Sequence, residues 1–388
     1  MKPKLRPTLK ITVMLLVMIS VLFPYGTAYA EEDTETEEEL KRQAEELDLS
    51  AWDGYFESSQ LFSSLSIVSA GELVLNLSEE KGVSLVEAVL SIFKTELKNM
   101  GGAVAVLSAA ALMTALAGLL PDDGVRRTAS VILSLTAISL IAGAYASLLK
   151  TAKDAVKSMG EFTERSLPVM TTAMAALGSE SSIAAMSPLM IFLSGTVVSV
   201  FERILLPTSL AAGVISIIDS VSENMRLSEL VKLLRKAVKW TAGLITVLYS
   251  GAVSINSLTA ASRDGLMIRT AKYTLDKLVP VVGSMVSGTV DSVMGCALML
   301  RNGVGMAALI LLLSVMLRPM LALISGIFVF RVTGALCQPT AEPRAVNLIS
   351  CAADVTGDLL GCVMAVFSML VLTVLVFTAA GGIAAGLW

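Results

Sequence analysis

The sequence predicts an all-α integral membrane protein that crosses the bilayer several times. Of its 388 residues, 55% are hydrophobic and 16% are charged, and the charges concentrate at the amino end and between long apolar runs. Several runs exceed the roughly 18 residues that a helix needs to cross the hydrocarbon core, and they lack the alternating pattern of a β-barrel. We therefore expect about seven transmembrane helices, some of them broken or re-entrant.

Residues 1–30 have the order of a secretory signal peptide. Basic residues between Lys2 and Lys10 precede the apolar run 11–23, and Ala28-Tyr29-Ala30 follows it. This order predicts cleavage after Ala30, although an uncleaved anchor helix is the alternative. In either case the chain that follows is expected to start outside the cytoplasm.

Residues 31–100 are predicted to form an extracytoplasmic region. The stretch from Glu31 to Asp48 is strongly acidic and too polar to bury much apolar surface, which is typical of a solvated tether. From Leu47 to Met100 apolar residues recur at helical spacing. We interpret this part as a small helical region, and interfacial helices lying on the membrane are the alternative.

Residues 101–388 form the predicted membrane domain, which opens with a helical hairpin. Its helices are Gly101 to Leu120 and Ala129 to Leu149, and the turn between them carries Arg126 and Arg127. The positive-inside rule places this turn in the cytoplasm. Further apolar segments are predicted at 188–206, 208–218, 237–258, 278–300, 304–330 and 359–388.

The loops predicted at 150–165, 223–239 and 263–277 are all basic. If every apolar segment crossed the membrane in turn, the three loops could not all lie in the cytoplasm. Some segments should therefore be re-entrant or interfacial. Two proline pairs share one offset of 112 residues, namely Pro168 with Pro280 (280−168) and Pro207 with Pro319 (319−207). This offset suggests a duplication with units 126–235 and 238–345, and a chance coincidence is equally open.

The amino-acid composition argues against several functional classes. The chain has no histidine, which removes the usual general base and zinc ligand, and its four cysteines have no CxxC spacing. No Walker segment is present, and the basic residues do not cluster with aromatics as in nucleic-acid binding proteins. An intramembrane protease using Asp291 with Asp354 or Asp358 lacks a flanking motif. We expect no enzyme activity, no metal, no cofactor and no nucleic acid.

Ionisable residues inside apolar stretches are candidate functional sites because charge at membrane depth is costly. They are Glu180, Asp291, Arg301, Arg318 and Arg331. Asp291 is the strongest candidate, since it lies among small residues and could line a polar pathway or pair with Arg301. A structural ion pair is an equally good interpretation.

The segment from Met225 to Lys239 is predicted to be a basic amphipathic helix. Leu227, Leu230, Leu234 and Val238 share one face, and the other faces carry Arg226, Lys232, Arg235, Lys236 and Lys239. Such a helix is expected to lie along the membrane surface. It could bind anionic lipid or an acidic partner helix, or serve only as a connector.

The second half of the chain contains several distinctive sequence motifs. They are Asp264-Gly-Leu-Met-Ile-Arg269-Thr-Ala-Lys272, Val279-Pro280-Val-Val-Gly283, Asp291 and Leu298-Met-Leu-Arg301-Asn302-Gly-Val-Gly305. These motifs resemble the stage III sporulation protein AE family of endospore-forming bacteria. The order of signal peptide, acidic tether and membrane domain also fits that family.

The resemblance implies a mother-cell protein in the outer forespore membrane, within a channel complex that joins the two cells during engulfment. Its expected partners are the other stage III sporulation A-operon proteins, including an ATPase and ring-forming proteins, and indirectly stage II sporulation protein Q. An oligomer is possible in such a complex. The alternative is a stand-alone secondary transporter, because repeats and broken helices are transporter features.

Overall fold

A computed structural model of the chain describes Trp52 and residues 123–175, 180–221, 227–278, 283–338 and 343–380. These ranges contain helices and no strand, which confirms the predicted helical class. The signal peptide, the acidic tether and the first hairpin helix lie outside the described residues. So do the side chains of residues 173–187 and 256–302.

Six α-helices and one π-helical turn make up the described ranges. In chain order they are α1 (Asp123–Ala175), α2 (Glu180–Val200), the π-helical turn (Phe201–Leu205), α3 (Leu206–Val221), α4 (Ser228–Leu278), α5 (Gly283–Cys337) and α6 (Pro343–Ala380). With 53 and 51 residues, α1 and α4 are each longer than a bilayer is thick. Residues 150–165 and 263–277, which were predicted as loops, are therefore parts of these long helices.

Four helical segments within the described ranges are long and apolar enough to cross a membrane. They are Pro188–Asp219, Ser228–Ile255, Gly303–Leu336 and Val346–Thr378. The expected total of about seven for the whole chain stays a prediction, because Gly101 to Leu120 lies outside the described residues. The duplicated units also stay a prediction, and their boundary near residue 235 falls inside α4.

The prediction of two separate segments on either side of Pro207 was wrong. The π-helical turn joins α2 to α3, and the backbone N–H of Leu206 bonds to the carbonyl of Phe201. A proline inside an α-helix removes one N–H and clashes with the carbonyl four residues earlier. The wider π turn accommodates this defect, so that Pro188–Asp219 continues as one span.

The central helix of the bundle is α6, which packs against α1, α3, α4 and α5. Its fully buried residues recur three or four positions apart, which places them on one helical face. They are Thr356, Leu359, Val363, Val366, Leu370, Thr373 and Phe377. The same region of the chain has the highest hydropathy of the four candidate spans.

Glycines allow several helix pairs to approach closely, as small residues do in membrane proteins. A Cβ atom on Gly160 of α1 would lie 2.9 Å from Val198 of α2, and one on Gly326 of α5 would lie 2.6 Å from Leu148 of α1. A Cβ on Gly305 of α5 would overlap the Thr378 side chain of α6. These contacts fix the spacing of α1, α2, α5 and α6.

Trp52 connects the amino-terminal region to the helical bundle. Its side chain is fully buried, and its indole Nε1–H donates a 3.0 Å hydrogen bond to the Ser166 hydroxyl of α1. Since residues 31–100 are predicted to be extracytoplasmic, this contact leads us to expect the Ser166 end of α1 on that side of the membrane.

Candidate functional site at a junction of three helices

Five charged residues meet where α4, α5 and α6 converge. Arg235 and Lys239 come from α4, Arg331 from α5, and Asp354 and Asp358 from α6. We call this set the junction cluster. It joins parts of the chain that are more than 100 residues apart, since Arg235 and Asp358 are separated by 123 positions.

Arg235 is the centre of the junction cluster because its guanidinium group binds both carboxylates. Its Nε donates to Asp358 Oδ2 at 2.5 Å, and its Nη1 donates to Asp354 Oδ2 at 3.2 Å. The planar guanidinium presents several N–H donors in fixed directions, which suits it to bridging two acceptors. A lysine at this position could not reproduce both bonds with the same geometry.

Two outer cations complete the junction cluster. Lys239 Nζ lies 2.8 Å from Asp358 Oδ1, and Arg331 Nη2 bonds to Asp354 Oδ1. The Asp358 side chain is only 4% exposed and that of Arg235 is 19% exposed, whereas Lys239 and Arg331 are 60% and 56% exposed. The cluster therefore has a buried acid–base pair and a solvent-accessible or headgroup-accessible cationic rim.

The helical spacing of the residues explains how the junction cluster forms. Asp354 and Asp358 are four residues apart on α6, and Arg235 and Lys239 are four apart on α4, so each pair shares one face. Both pairs lie near the start of their candidate spans, and Arg331 lies near the end of its own. Thus α4 and α6 run in one direction, α5 runs in the other, and their charges meet at one end of the bundle.

The junction cluster can couple three helices, and it offers nothing that resembles a metal or protease site. Within the described part of the chain, no group of three or more His, Cys, Asp and Glu residues is placed to hold a metal ion. Asp354 and Asp358 each bond to cations. In an aspartic protease dyad the two carboxylates would instead share a proton with each other.

A second set of charges lies within the candidate span Pro188–Asp219. Glu202 belongs to the π-helical turn, and its Oε1 lies 3.6 Å from Lys153 Nζ of α1. Single π-helical turns in longer helices occur often at functional sites. The location of a carboxylate at this depth makes Glu202 a functional candidate that the sequence interpretation had not selected.

Tyrosine hydroxyls form two further polar contacts between helices. Tyr145 of α1 donates a 2.9 Å hydrogen bond to the backbone carbonyl of Ser209, and the hydroxyls of Tyr249 and Thr373 bond between α4 and α6. A small cavity beside Tyr145 is lined mainly by apolar side chains, with Ser216 and Cys351 as its polar members. These features fix helix positions and present no paired catalytic groups.

The prediction of a separate basic helix ending at Lys239 was wrong, because α4 continues without interruption to Leu278. The buried residues in its first 15 positions are Val231, Val238 and Ala242, whereas Leu230 is exposed. The predicted apolar face did not include Arg235, whose side chain turns inward and bonds to the carboxylates of Asp354 and Asp358. Of the remaining predicted cations, Lys232 and Lys236 are exposed, and Arg226 lies outside the described residues.

Most other predicted site residues have no described side chain. Glu180 begins α2, Asp264, Arg269 and Lys272 belong to α4, and Gly283, Asp291, Arg301 and Asn302 belong to α5, while Pro280 lies outside the described residues. Asp291 and Arg301 therefore stay predictions. Gly305 is described, and its contact with Thr378 gives this family-motif position a packing role.

Sequence reasoning missed Asp358 as a structural charge and Glu202 as a charge within a span. The four-residue spacing of Asp354 and Asp358 and of Arg235 and Lys239 was a usable signal, because it places like charges on one helical face. The contact between these two faces could not be predicted, because the local sequence does not show which helices pack together.

Comparisons with known proteins identify the family of this chain. The family model for stage III sporulation protein AE matches residues 61–381. Stage III sporulation protein AE of Bacillus subtilis (strain 168) is 26% identical over 215 residues, which cover 55% of this chain and 54% of that protein. The aligned part thus spans about half the length of that relative, and no solved structure matches the chain. Because the family model covers most of the sequence, the chain belongs to the stage III sporulation protein AE family.

Proposed function

We propose that this protein is a membrane component of a secretion-like channel complex that connects the mother cell with the forespore and is needed for endospore development. The observation that carries the proposal is the family match over residues 61–381. Four candidate spans and charges inside or beside them agree with a multi-pass protein that handles polar material. Its proposed location is the mother-cell membrane around the forespore.

The proposed partners are other stage III sporulation A-operon proteins, including an ATPase and ring-forming proteins, and indirectly stage II sporulation protein Q. A surface for such a partner exists on α4, where Lys232, Lys236 and Lys239 are exposed beside the junction cluster. Cation-rich segments next to membrane spans favour the cytoplasm. We therefore assign this surface to a cytoplasmic partner with an acidic face.

The sidedness of the bundle supports this assignment. Tyr145 lies at the same cavity as Cys351, close to the junction cluster, and Ser166 contacts Trp52. Along α1, Tyr145 and Ser166 are separated by 21 residues (166−145), which is about 31 Å of helix and close to the thickness of the hydrocarbon core. With Trp52 outside, the junction cluster belongs near the cytoplasmic boundary, and residues 145–166 of α1 take the place of the predicted span 129–149 in the bilayer.

The proposal is tested by exchanging exposed charges in the native gene of an endospore-forming host. The double variant Lys232→Gln/Lys236→Gln should lower spore yield and weaken co-purification of the A-operon partners while membrane levels stay normal. Arg235 is left unchanged because its loss would disturb the buried pair. The matched control is Lys150→Gln, an exposed lysine on α1 outside the α4 surface.

Unchanged partner recovery in the Lys232→Gln/Lys236→Gln protein would remove α4 from the proposed interface. Normal spore formation after complete deletion of the gene would contradict the proposed function itself. The stand-alone transporter remains a second candidate because Glu202 lies within a span. Uptake of a solute into liposomes that contain only this protein would favour that candidate, whereas a requirement for partners favours the complex.

A further inference from the structure

We propose that one face of α1 lines a water-filled passage at the depth of the bilayer. We call it the α1 charged face, and it consists of Lys153, Asp154, Lys157, Glu161 and Glu164, all exposed. The inference deepens the proposed channel function and rests on it, since it names the wall along which polar material would pass.

The α1 charged face forms a continuous stripe. Lys153, Lys157, Glu161 and Glu164 recur three or four residues apart, with Asp154 beside Lys153, and the stripe extends over 11 positions (164−153), which is about 16 Å of helix. The opposite side of α1 is fully buried against the bundle at Ala152, Val156 and Met159. Because that side holds α1 in place, the helix cannot rotate to hide its charges without exposing this core.

Contacts with α2 fix the depth of the α1 charged face. Lys153 reaches Glu202, and Glu164 Oε1 lies 3.7 Å from the position of a Cβ on Gly195. The stripe therefore runs beside residues 195–202 of the candidate span Pro188–Asp219. Glu202 is 14 residues from the start of this span (202−188) and 17 from its end (219−202), so the Lys153 contact lies near its middle, whereas Gly195 lies seven residues from its start (195−188).

The neighbouring exposed surface of α2 and the π-helical turn carries large apolar side chains. Phe192 is 68% exposed, Leu189 and Ile191 are also exposed, and Ile204 of the π-helical turn is exposed beside one charged residue, Arg203. Apolar side chains at this depth suit contact with lipid chains. On membrane-insertion scales, each Asp, Lys or Arg side chain placed in lipid costs roughly 2.5–3.5 kcal/mol. Two adjacent helices at one depth thus present one surface for lipid and one for water.

The charges on the proposed wall have mixed signs. Lys157 and Glu161 pair at 3.7 Å, and Lys153 pairs with Glu202. Asp154 and Glu164 add two carboxylates and the exposed Arg165 beside Glu164 adds a cation, so neither sign dominates. A lining of this kind suits hydrophilic solutes in general, because it lacks the single-sign ring that selects cations or anions.

The test places single spin labels on the full-length protein in phosphatidylcholine and phosphatidylglycerol vesicles. The four cysteines are first replaced by serine or alanine, and labels are then attached at Lys157→Cys, Glu161→Cys, Phe192→Cys or Ile204→Cys. Collision with oxygen reports contact with lipid, and collision with a water-soluble nickel chelate reports contact with water. Positions 192 of α2 and 204 of the π-helical turn are matched controls because they lie beside the same part of α1, one on either side of the residues that contact the α1 charged face.

We expect the labels at 157 and 161 to collide several-fold more with the nickel chelate than those at 192 and 204, which should favour oxygen. Water contact at all four positions would overturn the proposal by placing the region outside the bilayer. Shielding of 157 and 161 from the chelate would overturn it as well. This test needs only the purified protein, so it is independent of the partner experiment. If the α1 face is shielded from water but the partners are still recovered, only this inference is contradicted. If the face contacts water but the partners are not recovered, only the proposed complex is contradicted.

Discussion

The junction cluster and the α1 charged face contain the same types of acid–base pair in different surroundings. In the junction cluster the Asp358 side chain is 4% exposed and contacts two cations from α4. On the α1 charged face the Lys157 side chain is 62% exposed and pairs within its own helix. The difference indicates that the first set holds helices together, whereas the second set interacts with whatever lies outside the bundle.

Burial determines what each pair contributes to stability. Exposed ion pairs contribute about 0–1 kcal/mol because water already solvates both partners. A buried pair contributes little net stability compared with well-packed apolar residues, but removing only one partner leaves an uncompensated charge and costs about 3–5 kcal/mol. The two regions should therefore respond very differently to the same substitution.

The largest expected effect is the loss of Asp358. Asp358→Ala should destabilise the bundle by about 3 kcal/mol or more, because Arg235 would keep only Asp354 as a partner. The protein level in membranes, measured by immunoblot, should fall strongly. Asp154→Ala is the control, since Asp154 is exposed on α1, and its level should stay normal. Equal levels of the two variants would show that the junction cluster does not support folding.

The next largest effect is the recovery of stability when Arg235 and Asp358 are both replaced. Arg235→Met/Asp358→Leu removes the buried charges together, so it should be more stable than Asp358→Leu alone by about 1–3 kcal/mol. Thermal unfolding of the purified single and double variants measures this coupling. Strict additivity of the two single changes would mean that Arg235 and Asp358 do not act as a pair.

A smaller effect is expected where helices meet through glycine. Gly305→Leu should destabilise the contact between α5 and α6 by about 1–3 kcal/mol, because the new side chain would overlap Thr378. Gly243→Leu is the matched control, since nothing lies within 4 Å of a Cβ at that position. A similar thermal stability for both variants would contradict the close approach of α5 and α6.

The smallest effect on stability is expected on the α1 charged face. Lys157→Gln should change the free energy of unfolding by no more than about 0.5 kcal/mol, because its pair with Glu161 is exposed. Lys157→Leu, in contrast, should lower spore yield at a normal protein level if the face must stay wet. Full spore formation by the leucine variant would argue against a role for this face in transport.

The sequence was sufficient to predict the helical membrane class, because long apolar runs need no partner to be recognised. It also selected Arg331 as a candidate charge, and Arg331 lies in the junction cluster. It did not predict that Arg235 turns inward, because the partners that stabilise it are 119 and 123 positions away. The continuity of the span through Pro207 was missed as well, since a proline normally signals a break and the π-helical turn has no sequence signature of its own.

The most direct test of the difference between the two regions compares isosteric neutralisation at each. Asp358→Asn and Glu161→Gln both remove one negative charge with little change in shape, and thermal unfolding of the purified full-length proteins measures the result. We predict that Asp358→Asn lowers the unfolding midpoint by several degrees and that Glu161→Gln leaves it unchanged. Equal shifts in the two midpoints would contradict the account.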